Sequence, residues 1–149
     1  MTTLTKRINF RPLIWAVPAA GLLFAAVHGV MMLVPPPADL DLSWTRASDK
    51  GSFVASIEPG TITIGETTSW VIEVASTDGT PVAIEDVSVD GGMPLHGHGL
   101  PTEPQVTRDL GGGRFEVENM KFSMTGWWAV NVHVETPAGE DQATFNLSL

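Results

Sequence analysis

Two of the four histidines, His96 and His98, stand one residue apart in Gly91-Gly92-Met93-Pro94-Leu95-His96-Gly97-His98-Gly99-Leu100-Pro101, with Met93 just upstream. Imidazole nitrogen beside thioether sulfur is a donor set suited to copper. Neutral imidazole is the ligating form, so such a site weakens in acid. The glycines and prolines argue against any strand or helix, and the expectation is an exposed, tightly turned loop. The nearest further donors are Met120 and Met124, flanking Lys121-Phe122-Ser123 ahead of Gly126-Trp127-Trp128. If the two loops meet, Met93, His96, His98 and Met124 offer a mixed nitrogen and sulfur site for Cu(I) or Cu(II). The competing assignment is that Met93 and Met124 fill gaps in a core while the histidines bond to loop carbonyls.

Other chemistry finds little support. There is no nucleophile elbow, no phosphate-cradling loop opening a helix and no HExxH, so no enzyme is expected. Gly111-Gly112-Gly113 precedes a strand-like segment and reads as a hairpin turn. Asp86, Asp90 and Glu103 read as surface charge, and His133, beside Asn131 and Glu135 on a polar strand face, as a solvated residue. Cysteine is absent, which removes disulfides and thiolate metal sites. From Asp39 onward five Lys/Arg face seventeen Asp/Glu, a net of −12, which disfavours nucleic acid as a partner.

These residues need something to carry them. Leu13 to Val34 is an uncharged apolar run of 22 residues, and about 20 helical residues cross a bilayer. It is expected to be an uncleaved transmembrane helix. Lys6, Arg7 and Arg11 within 1–12 put the N-terminal segment in the cytoplasm and the acidic part outside it, in the periplasm or the cell exterior of a bacterium with the helix in its inner membrane. Gly21, Ala25 and Gly29 form a small-residue stripe on which another helix could pack, and His28 lies in the outer half of the span as a possible partner or ligand there. Residues 35–50, opening on three prolines, read as a stiff linker with Trp44 as an interfacial or packing anchor.

The remainder, 51–149, changes to a period of two. Trp70, Ile72 and Val74 alternate with polar or small neighbours, as do Trp128, Val130, Val132 and Val134, and then Phe145, Leu147 and Leu149. Further strands are expected over Ser52 to Ile57, Thr61 to Ile64, Val82 to Val89, Gln105 to Asp109 and Arg114 to Glu118, divided by turns such as Pro59-Gly60 and Asp78-Gly79. About seven short strands in this length predict an all-β, immunoglobulin-like β-sandwich.

Taken together, Met93 to Pro101, Pro104, Gly113-Arg114-Phe115 and Met120-x-Phe122-x-Met124-x-Gly126-x-Trp128 make the chain similar to YtkA-like domains, themselves related to FixH-like proteins. The similarity runs from about Ser52 to Leu149. It implies an immunoglobulin-like domain exported behind one membrane anchor, associated with copper handling or with assembly of respiratory oxidases, and it points to Met93, His96, His98 and Met124. Leu95 stands where such loops often carry a second methionine. The expected function is to bind copper or deliver it for a membrane metalloenzyme. The alternative is a non-catalytic accessory subunit of a respiratory or photosynthetic membrane complex, docking through the Gly21/Ala25/Gly29 face and the sandwich surface.

Overall fold

In the computed structural model, which describes residues 18, 21, 22, 29, 35–80 and 82–149, the alternating segments become nine strands. They are β1 (Thr45–Ala47), β2 (Val54–Pro59), β3 (Thr67–Ala75), β4 (Asp86–Met93), β5 (His98–Gly99), β6 (Gln105–Gly111), β7 (Arg114–Lys121), β8 (Trp127–Thr136) and β9 (Gly139–Ser148). One sheet has the order β1-β2-β3-β7-β6 and the other β5-β4-β8-β9, and every pairing is antiparallel. The chain is all-β over these strands.

The alternation decides which way each strand faces. Trp70, Ile72 and Val74 of β3, Val130, Val132 and Val134 of β8, and Ala143, Phe145 and Leu147 of β9 are buried in one core. Each fully buried large side chain contributes about 1.5–3 kcal/mol before chain entropy is subtracted. Through this core runs a column of rings. Trp44 meets Trp70 edge-on at 6.3 Å, Trp70 stacks on Phe122 at 5.7 Å, and Phe122 meets Trp128 edge-on at 5.3 Å.

Four expectations change. The 35–50 stretch is not all linker, because β1 pairs with β2 from Thr45↔Ser56 to Ala47↔Val54, and Trp44 packs against Trp70. Thr61 to Ile64 forms no strand: Gly60 N has already turned to Ser69 O at 3.2 Å, and Gly65 N donates to Phe122 O at 2.8 Å. The strand expected from Val82 starts only at Asp86, with Val82 and Ile84 packed on the core as irregular chain. Finally, Gly91-Gly92-Met93 is strand, and only Pro94–Gly97 turns.

Among the described residues no helix is long and apolar enough to cross a membrane. The expected span 13–34 lies outside the described residues apart from Pro18, Gly21, Leu22 and Gly29, as do Ala25, His28 and the 1–12 segment.

Candidate metal centre

The histidine pair sits on a β-hairpin. β4 pairs with β5 at Gly92↔Gly99 and Met93↔His98, leaving Pro94–Gly97 as a four-residue connection. Pro94 presets its own φ for the turn. His96 N and Gly97 N both donate to Met93 O, at 3.0 and 2.9 Å. Gly97 has φ +64°, a left-handed conformation that costs glycine little. Gly92 is needed for a different reason: a Cβ there would lie 2.4 Å from His98 O, so a side chain would push β5 away.

The hairpin holds both imidazoles where solvent reaches them, His96 half-buried and His98 exposed. Their ring centroids are 6.5 Å apart and their planes differ by 20°. Two imidazoles bound to one metal at about 2.0 Å each keep their centroids within about 6–6.5 Å. The pair is therefore at the outer limit of the distance one metal can bridge, so the two rings must move together to share an ion. Among the described residues no three His, Cys, Asp or Glu side chains are grouped to hold a metal.

The methionines divide. Met93 is 1% exposed and belongs to the core, at an inward position continuing Val87 and Val89. Met120 on β7 is fully buried. Met124 is 40% exposed, in the segment between β7 and β8. That segment is tied to the base of the hairpin, since Met93 Cε lies 2.8 Å from the position of a Cβ on Gly126. Trp128 Nε1 donates to Met124 O at 3.0 Å, and Gly126 exchanges two backbone bonds with Leu149. So the fold brings Met93 beside the Met124 segment and, of the three described methionines, leaves Met124 exposed.

Beside the hairpin, on the outer face of the same sheet, lies a polar network. Asp90 accepts from Asn131 Nδ2 at 2.7 Å and lies 3.2 Å from His133 Nε2, while His133 Nδ1 is 3.6 Å from Glu140. Thr144 donates to Asn131 at 2.9 Å. His133 is thus a partnered side chain where a simply solvated one was expected. The cross-strand register, Asp90↔Asn131 and Ser88↔His133, brings these residues together, and it is invisible in either strand alone.

Next to Glu140 on β9 stands Asp141, 3% exposed. Burial pushes its carboxyl up, but bonds from the Ser48 hydroxyl, the Lys50 and Gln142 amides and Ser52 hold it well below the usual carboxylate range. The same carboxylate receives Lys50 N at 3.1 Å and Ser52 N at 3.2 Å, so it fastens the β1–β2 connection across to the other sheet. Sequence reading gave Asp141 no role, because its partners are about ninety residues away.

Comparison with known proteins gives one match, to the family described as YtkA-like, whose sequence model covers residues 45–133. The matched stretch begins at the first residue of β1 and contains the whole histidine hairpin. No curated protein and no solved structure matches the chain.

Proposed function

The chain belongs to the YtkA-like family, and from that premise we propose that it is a non-enzymatic, membrane-anchored protein whose domain binds copper or delivers it to a membrane metalloenzyme outside the cytoplasm. The single observation that carries this reading is the pair of accessible imidazoles, His96 and His98, held 6.5 Å apart on a tight hairpin. Copper is cargo here, held by His96 and His98 with Met124 as the accessible thioether. Met93 supports the hairpin from below. The apolar run at 13–34 and its basic flank support a single inner-membrane span with the domain in the periplasm.

The strand order favours an immunoglobulin-like assignment. Constant-type immunoglobulin domains place strands ABED in one sheet and CFG in the other. Here β2-β3-β7-β6 and β4-β8-β9 follow the same connections, with β1 and β5 as additions at the edges.

The test is metal analysis of the full-length protein in mild detergent, alone and as the His96→Ala/His98→Ala variant, with whatever co-purifies identified in the same samples. About one bound copper in the parent and none in the variant supports the reading. Equal copper in both removes it. The accessory-subunit alternative makes the opposite demand, with an unchanged set of co-purifying proteins in the histidine variant and a loss of them in Gly21→Leu/Gly29→Leu.

A further inference from the structure

Away from the histidine hairpin, the two sheets part around a groove of about 420 Å³ between the start of β4 and the edge strand β6. Its apolar walls are Val82, Ile84, Val106 and Phe115, half-buried side chains packed on the core. Both strands that border it have main chain without a strand neighbour on that side among the described residues. β6 pairs with β7 alone, and β4 meets β5 only at Gly92 and Met93. Leu100 N donates to Gly91 O, so the crossover into β6 covers that end of β4 and leaves the Glu85–Val87 end open.

An open strand edge over an apolar floor is suited to an added extended segment, whose main chain supplies hydrogen bonds and whose alternate side chains fill the floor. Charge narrows the choice of segment. Glu85, Asp86 and Asp109 are exposed along the groove, and the one cation among its described lining residues, Arg108, is already 3.3 Å from Glu116. Two register shifts in the β6–β7 ladder, at Val106/Arg108 and Asp109/Gly111, blunt β6 against indiscriminate pairing, so an added strand must suit this edge in particular.

We propose that this groove receives an extended, lysine- or arginine-bearing segment of a partner polypeptide. The segment adds to β6 as an outer strand, lays alternate apolar side chains on Val82, Ile84, Val106 and Phe115, and sets its cations against Glu85, Asp86 and Asp109. At about 3.3 Å per residue, the four residues Val106 to Asp109 give it roughly 13 Å of edge. The inference is independent of the copper reading, because no residue of the groove belongs to the histidine hairpin.

The experiment is fluorescence anisotropy of a fluorescein-labelled octapeptide of alternating lysine and valine, titrated with the full-length protein in mild non-ionic detergent and with the detergent alone. Two control peptides replace lysine by glutamate or carry N-methyl groups on alternate backbone nitrogens. Saturable binding of the lysine peptide to the protein alone is expected, with none for the glutamate peptide. Loss of two main-chain bonds should weaken the N-methylated peptide about tenfold. Val106→Glu should abolish binding, while Glu85→Lys/Asp86→Lys, on exposed side chains that keep the fold, should transfer preference to the glutamate peptide. His96→Ala/His98→Ala should bind as the parent does. Equal affinity for the N-methylated peptide, or for both peptide charges, overturns the proposal. A concentration-dependent dimer in sedimentation that Val106→Glu dissolves also overturns it, by assigning the groove to a second copy of the chain.

Discussion

Met93 and Gly126 approach so closely that the methionine Cε lies 2.8 Å from where any Cβ on residue 126 would stand. A Cβ at position 126 would therefore have to push the flexible end of the Met93 side chain aside within the core. Gly126 also has φ +130°, outside the range L side chains adopt readily. Gly126→Ala should cost about 2–4 kcal/mol in urea unfolding, from overpacking and backbone strain together. In a double-mutant cycle with Met93→Ala the two losses should be less than additive by about 1–2 kcal/mol, since the shorter side chain vacates the contested space. Full additivity would assign the whole penalty to the backbone.

Met124 is 40% exposed, two residues before the Gly126 that Met93 packs against, and thioether is a soft donor. Met124→Leu should lower affinity for Cu(I) more than for Cu(II) while unfolding within about 0.5 kcal/mol of the parent. Competition titrations against chromophoric chelators in each oxidation state check this. Equal losses, or none, would take Met124 out of the site.

Trp128 is fully buried, and its indole N–H fixes the Met124 carbonyl at 3.0 Å. Trp128→Phe removes that bond and leaves part of the ring volume empty. A loss of about 2–3 kcal/mol in stability is expected. Amide exchange in 123–126 should accelerate more than in β9. Uniform acceleration throughout the domain would show that the bond has no local role.

Asp141 gives a pH signature. Its folded-state acidity is displaced below the ordinary range, so the stability it confers is complete above the unfolded-state value of about 3.9 and is lost as pH falls through the lower folded-state value. At neutral pH, Asp141→Asn should cost about 1–3 kcal/mol, because an amide replaces a charged acceptor facing the part-buried N–H donors of Lys50, Ser52 and Gln142. The gap between parent and variant should shrink below about pH 4, where the unfolded-state carboxyl begins to take up protons. Urea midpoints for both proteins from neutral pH downward check it. A gap that stays constant into acid would mean that the carboxylate's charge is not what holds the strap.

How much of this could be read from the chain follows from what hydropathy can encode. Trp70, Ile72 and Val74, or Trp128 through Val134, declare their strands because a large apolar side chain falls at every second position. In β4 the same rhythm runs Val87, Val89, Gly91, Met93, but glycine at the third beat carries no hydropathy. Turn propensity outweighs the pattern beyond Val89, so Gly91 to Met93 read as loop and Met93 as a candidate ligand, although its parity marks it as core. His96 and His98 were legible as a pair, since one intervening residue keeps them close in almost any backbone. The contacts Met93–Gly126, Asp90–His133 and Asp141–Lys50 were not, because each depends on a register between distant strands. β1 was missed for a simpler reason: three residues are too few to display a period.

β5 consists of two residues and joins the sheet at two ladder positions, whereas β4 is secured to β8 at seven. Melting of the hairpin tip can thus separate the two rings while every buried strand stays in place. An ion held by the two rings would leave through a brief local fraying of the tip, at a rate set by a handful of bonds, and the sandwich beneath would never have to come apart to let it go.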